Sequence, residues 1–245
     1  MAQADWQDLT GTTLGSSDVP RGVSAAFTLA HAHAGTYCYV MRSATSTSGF
    51  AGKYCDVADF APFTPGTRKG GSIRCLMKRY ASGGNYAPVI GLLRGTDPST
   101  AEGYMIGLSA ASSYQVVVKK GAPASGLSAS GSDILLASDA AFTDVGDAAS
   151  VWFHLRMDVL VNPHGEVVIN ASENDVQTNG LAAGGGTEVW SSITGMEQFI
   201  DDPAGVFSGS TPHTGNFYAF FGMYTSAAGS IALFDHIEVY RQTSP

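Results

Sequence analysis

The sequence predicts an all-β protein, built as a two-sheet antiparallel jelly-roll sandwich. Three observations lead to this fold class. One long segment alternates strictly between apolar and polar residues, which is the pattern of a strand with one buried face. Ten further strand-like segments follow one another with glycine-rich turns between them. No segment has a convincing amphipathic helical pattern that could serve as a crossover, so the sheets are expected to be antiparallel.

The strand Val151–Val161 shows the alternation most clearly, and an Asn162-Pro163-His164-Gly165 turn follows it. Every second residue is apolar, so one face of the strand should lie against a second layer. That face carries Val151, Phe153, Leu155, Met157, Val159 and Val161. The opposite face carries an indole, an imidazole, a guanidinium and a carboxylate, from Trp152, His154, Arg156 and Asp158.

The other predicted strands are enriched in β-branched and aromatic residues and end at glycine, serine or asparagine. In chain order they are Val23–Leu29, Tyr37–Arg42, Gly71–Tyr80, Ala87–Arg94, Gly103–Ser109, Ser113–Lys120, Ile134–Ala137, Glu166–Ala171, Phe217–Tyr224 and Ser230–Arg241. Residues 102–121 read as a hairpin. Residues 121–150 read as loop with one short edge strand, and residues 172–216 as a long irregular excursion of functional or interfacial character.

The length of 245 residues fits one large all-β domain. We assign residues 23–245 to a single jelly-roll domain and residues 1–22 to an N-terminal arm, in which Trp6 is the one large apolar residue. Two interpretations of the arm are open. It is either a frayed terminus or a segment that docks on a neighbouring subunit.

Composition limits the classes of partner. Only 14% of the residues are charged, against about 25% in typical soluble domains. The net charge of −8 argues against a nucleic-acid partner. The densest basic stretch contains Arg68, Lys69, Arg74, Lys78 and Arg79, and it is expected to be an exposed strand edge. No apolar run approaches the roughly 18 residues that a membrane span needs, and we expect no secretory signal.

The three cysteines, Cys38, Cys55 and Cys75, have neither the even count of a disulfide framework nor CxxC spacing. We expect buried, reduced thiols that behave as small hydrophobic side chains. One bridge with a leftover thiol is the alternative.

The order of five segments resembles the concanavalin A-like (laminin G-like) jelly roll. The segments are GGSIRCLMKRY, VIGLLRGTDPSTAEGYMIGLS, SYQVVVKKG, VWFHLRMDVLVNPHGEVVI and GNFYAFFGMYTSAAGSIALFDHIEVYRQT. The resemblance covers roughly residues 23–242 and implies the fold. Within that superfamily the sequence is similar in character to virion structural proteins of tailed bacteriophages. The similarity lies in the segment Phe199–Gly222 and in the ending IEVYRQT.

The resemblance also implies a place for a ligand, because one sheet of such sandwiches is curved and its outer face often forms a groove. Phe234, His236, Glu238 and Tyr240 would join Trp152, His154, Arg156 and Asp158 there, if the strands share a sheet. Polysaccharide lyases of this fold use arginine to neutralise a uronate and histidine or tyrosine as base and acid. The alternative is that these groups pair with one another as a buried polar network.

Other motifs are weak or fail. Glucanases of the family carry a Glu-x-Asp-x-x-Glu run, whereas Glu173-Asn174-Asp175 here is followed by Thr178. His31 and His33 are expected to be a solvated pair. The resemblance offers calcium as an option, through Asp201, Asp202 and Asp235, without the spacing of a calcium loop. Stacking on sugar rings could involve Trp190, Tyr86, Tyr114 and Tyr224.

The sequence interpretation that we favour is a non-enzymatic virion component of a tailed phage, either a capsid decoration or a tail protein. It would act by packing against other virion proteins and copies of itself, and it would be located in the virion. The alternative is a carbohydrate-binding module or polysaccharide-cleaving enzyme that binds a cell-surface glycan through Trp152, His154, Arg156 and Asp158. We expect no cofactor, metal, nucleic acid or membrane in either case.

Overall fold

The structure of the chain is a computed structural model. It describes residues 6–9, 38–42, 49–55, 69–79, 86–109, 115–127, 134–138, 152–162, 164–179, 181, 186–202, 204, 211–213, 217–226 and 229–243. His31, His33 and the predicted strand Val23–Leu29 lie outside these residues.

Fourteen strands occupy most of the described residues. They are β1 Trp6–Asp8, β2 Tyr39–Arg42, β3 Gly49–Cys55, β4 Lys69–Arg79, β5 Tyr86–Leu93, β6 Gly103–Leu108, β7 Val116–Gly121, β8 Ile134–Ala137, β9 Phe153–Val161, β10 Val167–Asn174, β11 Trp190–Ser192, β12 Phe199–Asp201, β13 Tyr218–Thr225 and β14 Ile231–Thr243. Helical structure in the described part is limited to a 3₁₀ turn, Pro123–Ser125, and one α-helical turn, α1 Val176–Asn179.

The strands form two sheets in which every pairing is antiparallel. Sheet 1 has the order β1-β3-β13-β5-β6-β7-β8. Sheet 2 has the order β11-β10-β9-β4-β14-β2, and β12 also pairs with β10. Each sheet combines consecutive strands, such as β5-β6-β7-β8 and β9-β10, with neighbours that are distant in sequence, such as β13-β5 and β4-β14, as in a jelly roll. The predicted two-sheet antiparallel sandwich is therefore confirmed.

The apolar core lies between the two sheets and follows the alternation of the strands. In β9, Leu155, Met157 and Val159 point inward and are at most 1% exposed. In β6, Tyr104 and Ile106 belong to the same buried cluster. Because the inward residues of both sheets are almost all apolar, the core itself leaves little room for a polar ligand.

The outer face of sheet 1 is also apolar, and the chain covers it. Phe50, Met105, Val117 and Phe220 form a second buried cluster with Leu127 of the loop after β7. Both faces of sheet 1 are thus occupied by the protein's own side chains. This leaves the outer face of sheet 2 as the candidate ligand surface.

Most of the predicted strands agree with the structure, but β3 was missed. It contains Gly49 and Gly52, which interrupt the apolar alternation. Gly52 has a packing reason, because a Cβ there would lie 2.5 Å from the carbonyl oxygen of Phe221 on the neighbouring strand. The glycine that weakens the sequence signal is what allows the two strands to approach.

Two expectations about regions were wrong in part. Residues 172–216 are not irregular throughout, since β11 and β12 both pair with the free edge of β10. The basic stretch is not an exposed edge either. β4 is a central strand between β9 and β14, and its Lys78 and Arg79 are buried.

The start of the chain contributes to the sandwich. Strand β1 pairs with β3 at the edge of sheet 1, and Trp6 packs edge-on against Phe221, with ring centroids 4.9 Å apart. Most of residues 1–22 lie outside the described residues, so the predicted boundary between arm and domain stays a prediction.

Two smaller expectations can be compared with the structure. The cysteines Cys38, Cys55 and Cys75 are buried and form no disulfide with one another, as predicted. Within the described residues, no helix has the length and apolar character to span a membrane.

Candidate functional site

The polar residues of sheet 2 lie on its outer face because strand alternation sends their apolar neighbours inward. Strand register arranges them in rows across the sheet. One row joins Ser172, Arg156, Arg74 and Glu238, from β10, β9, β4 and β14. The next row holds Asn170, Asp158, Ser72 and Tyr240 on the same four strands. We call this surface the outer polar face; it also includes His154, Glu188, Trp190 and His236.

Arg74 is the centre of the outer polar face. Its Nε donates to Glu238 and its Nη1 to Glu188, while Nη2 donates to the Tyr240 hydroxyl at 2.6 Å. The guanidinium carbon lies 5.0 Å from the Tyr240 ring centroid and 5.7 Å from that of Trp190. A guanidinium with three such partners and two aromatic neighbours is held in one orientation before any ligand arrives.

The charges around Arg74 shift the pKa of Arg74 itself and that of Glu238. Burial alone would lower the pKa of Arg74, but the carboxylates of Glu238 and Glu188 outweigh burial and raise it. Burial would raise the pKa of Glu238, but hydrogen bonds from Arg74 and Tyr240 lower it below its ordinary value. Both groups are therefore charged at neutral pH.

Arg156 and Asp158 form a second ion pair on the same face. Arg156 Nε lies 2.9 Å from Asp158 Oδ1, which also accepts from the hydroxyl of Ser72. Burial raises the pKa of Asp158, and Arg156 offsets only part of this effect. The Arg156 guanidinium carbon lies 5.8 Å from the Trp190 centroid, so both arginines of the face flank this one indole.

His154 is fully buried beneath Trp190, with ring centroids 4.5 Å apart. The side-chain amide of Asn174 decides its tautomer. Asn174 Oδ1 accepts from the backbone N–H of Val189 at 3.1 Å, so its Nδ2 faces His154 Nδ1 at 3.2 Å and must donate to it. His154 therefore carries its proton on Nε2 when neutral.

Asn174 also positions the residues of the 186–190 segment that lie on the outer polar face. It pairs with Trp190 in the β10–β11 ladder and holds the N–H of Val189, and Glu188 and Trp190 stand on either side of that residue. The sequence analysis did not identify Asn174. The one available signal was its place at the end of a strand beside an acidic pair, which is too common a pattern to interpret.

A β-bulge in β14 explains which closing-strand residues reach the face. Asp235 pairs with Leu76, but the next paired residue is Glu238 opposite Arg74, so β14 has one extra residue here. His236 occupies the bulge with φ of 49°. Its Nε2 lies 3.9 Å from Glu188 and 3.6 Å from Glu238.

Because of the bulge, the prediction was wrong for one site residue. Phe234 does not join the face, because it precedes the bulge and points into the core with 0% exposure. His236, Glu238 and Tyr240 do join it, as predicted. Without the bulge, alternation would have placed Phe234 on the same side as Glu238.

Among the predicted residues of β9, the structure brings His154, Arg156 and Asp158 to the site. Trp152 shares the face but lies at its far end, where it packs with Leu76, Val176 and Leu181. The Lys78 ammonium lies 5.7 Å from the Trp152 ring centroid. Trp152 therefore closes one end of the face and does not line its centre.

The aromatic residues that were predicted to stack on sugar rings do not all lie on the outer polar face. Trp190 lies on the outer polar face and is half-buried, and Tyr240, which is 43% exposed, lies near the same Arg74 guanidinium. Tyr224 packs against the apolar cluster on the other sheet. The side chains of Tyr86 and Tyr114 are not among those that the structure describes. Tyr240 and Arg74 were the important residues that sequence reasoning undervalued.

The described residues contain no group of three or more histidine, cysteine or acidic side chains that could hold a metal ion. Of the possible calcium donors, Asp201 is buried in an ion pair with Lys120, and Asp235 accepts from the N–H of His236. The carboxylates of the outer polar face are bonded to arginines. The arrangement thus suits polar and stacking contacts with an organic ligand.

Comparisons with known proteins find solved structures that are similar to this chain with low TM-scores. No family model and no curated protein matches the chain. Among solved structures, a family 7 alginate lyase shares 8% identity over 98% of this chain and 96% of its own, with a TM-score of 0.48. The carbohydrate-binding module CBM66 from Bacillus subtilis shares 8% over 96% and 94%, with a TM-score of 0.42.

A legume lectin-like domain from Entamoeba histolytica shares 8% identity over 85% of this chain and 84% of its own, with a TM-score of 0.44. These neighbours agree with the predicted resemblance to lectin-like jelly rolls, and none of the three is described as a phage protein. Because every TM-score is below 0.5, what the outer polar face binds has to follow from its own residues.

Proposed function

We propose that the protein binds an uncharged glycan on the outer face of sheet 2. The observation that carries the proposal is the Arg74 guanidinium, which lies near the rings of both Trp190 and Tyr240 and is bonded to Glu188 and Glu238. Sugar rings combine an apolar face with hydroxyl groups at the edge. An aromatic ring beside planar, already oriented donors and acceptors matches both parts.

The charge balance of the face favours an uncharged ligand. Each guanidinium is already paired with a carboxylate of the protein, Arg74 with Glu188 and Glu238, and Arg156 with Asp158. A uronate would have to displace one of these carboxylates and would meet the negative charge of the others. Such juxtaposition of like charges costs affinity. The role of arginine in neutralising a uronate, which the resemblance implies, is therefore not part of the proposal.

Affinity electrophoresis of the full chain tests this proposal. Native gels would contain neutral polysaccharides (glucan, mannan, galactan, xylan) or uronic ones (alginate, polygalacturonate), at low and raised salt. We expect at least one neutral polymer to retard the chain, with little effect of salt because no net charge is neutralised on binding. Trp190→Ala should abolish the retardation. His164→Ala is the matched control, because His164 lies in the exposed turn that follows β9, whereas Trp190 lies near the start of that strand.

Two results would contradict different parts of the proposal. If no polysaccharide retards the chain, glycan binding is wrong. If only uronic polymers retard it, and raised salt releases them, the face binds glycans but the ligand is acidic.

Glycan cleavage is the second candidate, and one observation favours it. On one face, the pKa of Asp158 is raised and that of Glu238 is lowered, which is the division that an acid and a base or nucleophile require. Asp158 is nevertheless bonded to Ser72 and Arg156, so we rank binding first. Assays for new reducing ends and for unsaturated products, with Asp158→Asn as the control, separate the two candidates.

Packing against other virion proteins and copies of itself in a phage particle stays a prediction from the sequence. Immunogold labelling of purified particles tests it, and glycan binding is compatible with either outcome.

A further inference from the structure

A buried ion pair joins the two sheets inside the sandwich. Lys120 belongs to β7 of sheet 1, and Asp201 belongs to β12 on sheet 2. Lys120 Nζ lies 2.7 Å from Oδ2 and 3.0 Å from Oδ1 of Asp201, and the two side chains are 2% and 0% exposed. Both residues point inward, Lys120 in alternation with Val118 and Asp201 opposite Val167.

Tyr104 supplies a third group at the same carboxyl. Its hydroxyl lies 2.6 Å from Asp201 Oδ2 and accepts from the backbone N–H of His213 at 2.8 Å. Since that N–H can only donate, the single hydroxyl proton is directed at Asp201. Burial, together with the neighbouring carboxylate, raises the pKa of Tyr104 far above its ordinary value, so it keeps this proton.

The geometry places an amine nitrogen against a carboxyl carbon. Because Nζ is close to both oxygens, it lies about 3 Å from Cγ, a separation typical of reacting atoms held by a protein. The Tyr104 proton stands at the oxygen that gains charge when the carbon is attacked. Water, which would reverse the reaction, has no access to side chains that are 0–2% exposed.

We propose that Lys120 and Asp201 condense to an isopeptide bond that links the two sheets covalently. One proton moves from the Lys120 ammonium to Asp201 Oδ1, which gives a neutral amine and a carboxylic acid. The nitrogen lone pair forms the Nζ–Cγ bond while Tyr104 stabilises the charge on Oδ2. A second proton then passes from the nitrogen to Oδ1, the Cγ–Oδ1 bond breaks, and Oδ1 leaves as water.

The step balances without any other reactant. One ammonium and one carboxylate become one amide and one water, and nothing is oxidised or reduced. A buried ion pair carries a desolvation penalty for each ion, which a neutral amide does not. This difference favours the product inside the sandwich. The bond would anchor the edge segment 199–201, which follows the Glu188 and Trp190 segment on β10.

Mass spectrometry of the purified full chain under denaturing conditions tests this proposal. We expect the intact mass to fall below the sequence mass by one water, and proteolysis to yield a single branched peptide that contains Lys120 and Asp201. Lys120→Arg should restore the missing water, because a guanidinium pairs with the carboxylate but does not condense. Lys119→Arg, which changes the neighbouring lysine on the opposite face of β7, should keep the loss.

A second variant makes the test independent of how well Lys120→Arg folds. Asp201→Asn should lose one ammonia in place of one water, since the leaving group changes. A wild-type chain with the full sequence mass, and with Lys120 and Asp201 recovered on separate peptides, would overturn the proposal.

Discussion

Two clusters in this protein contain the same three kinds of group at different depths. On the outer face of sheet 2, a cation, a carboxylate and a tyrosine hydroxyl meet as Arg74, Glu238 and Tyr240. Between the sheets, Lys120, Asp201 and Tyr104 do the same. The outer carboxylate is 31% exposed and the inner one 0%. Composition alone therefore does not decide what such a cluster does.

The cation and its surroundings account for the difference. A guanidinium remains protonated, is planar and offers five donors, so beside two rings it presents a fixed surface to a ligand. An amine becomes a nucleophile once it loses a proton, and a carboxyl that is closed off from water keeps it in place. The outer cluster fits recognition, and the inner one fits a permanent link.

The largest expected effect comes from breaking the inner pair. Lys120→Met leaves a buried carboxylate without its cation and should lower the free energy of unfolding by at least about 3–5 kcal/mol. Urea denaturation measures the change. Lys120→Met combined with Asp201→Asn removes both charges and should be less destabilised than the single variant. Equal losses in the two variants would show that charge burial is not the cause.

A pH effect should also come from the inner side of the sandwich. Burial is the main cause that lowers the pKa of His213 from 6.5 to about 4; the charge of Arg94 adds to it and the charge of Glu102 opposes it. The unfolded chain binds the proton more tightly than the folded one. This contribution to stability is therefore complete above pH 6.5 and declines as the pH falls towards about 4. His213→Gln should flatten the pH dependence in that window, measured as urea midpoints against pH; an unchanged slope would exclude His213 as its source.

On the outer face, Trp190 should have the largest effect on affinity. Trp190→Ala removes the ring that stacks on the sugar and that both arginines flank. We expect at least a tenfold weaker glycan binding, about 1.4 kcal/mol, by isothermal titration calorimetry. Trp190→Phe keeps a smaller ring and should retain part of the affinity. If the alanine variant binds as well as wild type, stacking on this ring is wrong.

Asn174 should act through the residues it positions. Asn174→Asp still accepts the N–H of Val189 but no longer donates to His154 Nδ1, so it should favour the protonated imidazole. We expect a raised pKa of His154, read from its NMR titration, and a several-fold weaker glycan affinity. Asn174→Gln keeps the amide group but lengthens the side chain, so it would show whether the chemistry of the amide or its position matters. An unchanged titration of His154 would contradict the assigned hydrogen bond.

The smallest expected effect is that of Tyr240→Phe. It retains the ring next to Arg74 but loses the hydroxyl that accepts from Arg74 and donates to Glu238. The loss of these two hydrogen bonds, both to charged partners on an exposed face, should cost about 1 kcal/mol or less in affinity. Tyr240→Ala should cost more. Equal losses would mean that the hydroxyl, and not the ring, contacts the ligand.

Periodicity in the sequence predicted the sandwich and the face of β9, because alternation depends only on neighbouring residues. It placed Phe234 wrongly because a single extra residue in β14 reverses the alternation, and no residue type marks that bulge. The central position of β4 in its sheet depends on which strands pair, and so does the position of Arg74 on that strand. The contact of Lys120 with Asp201 spans 81 residues, so it exists only once both sheets are stacked.

The outer polar face is tested most directly by NMR of its own nitrogen atoms in the wild-type chain. The Nε–H signals of Arg74 and Arg156 and the indole N–H of Trp190 would be followed during titration with an oligosaccharide from a neutral polymer that retards the chain. We predict that these signals shift together while the indole of Trp6, buried in the core, stays in place. Saturable binding that leaves the signals of Arg74 and Trp190 unchanged would contradict the account.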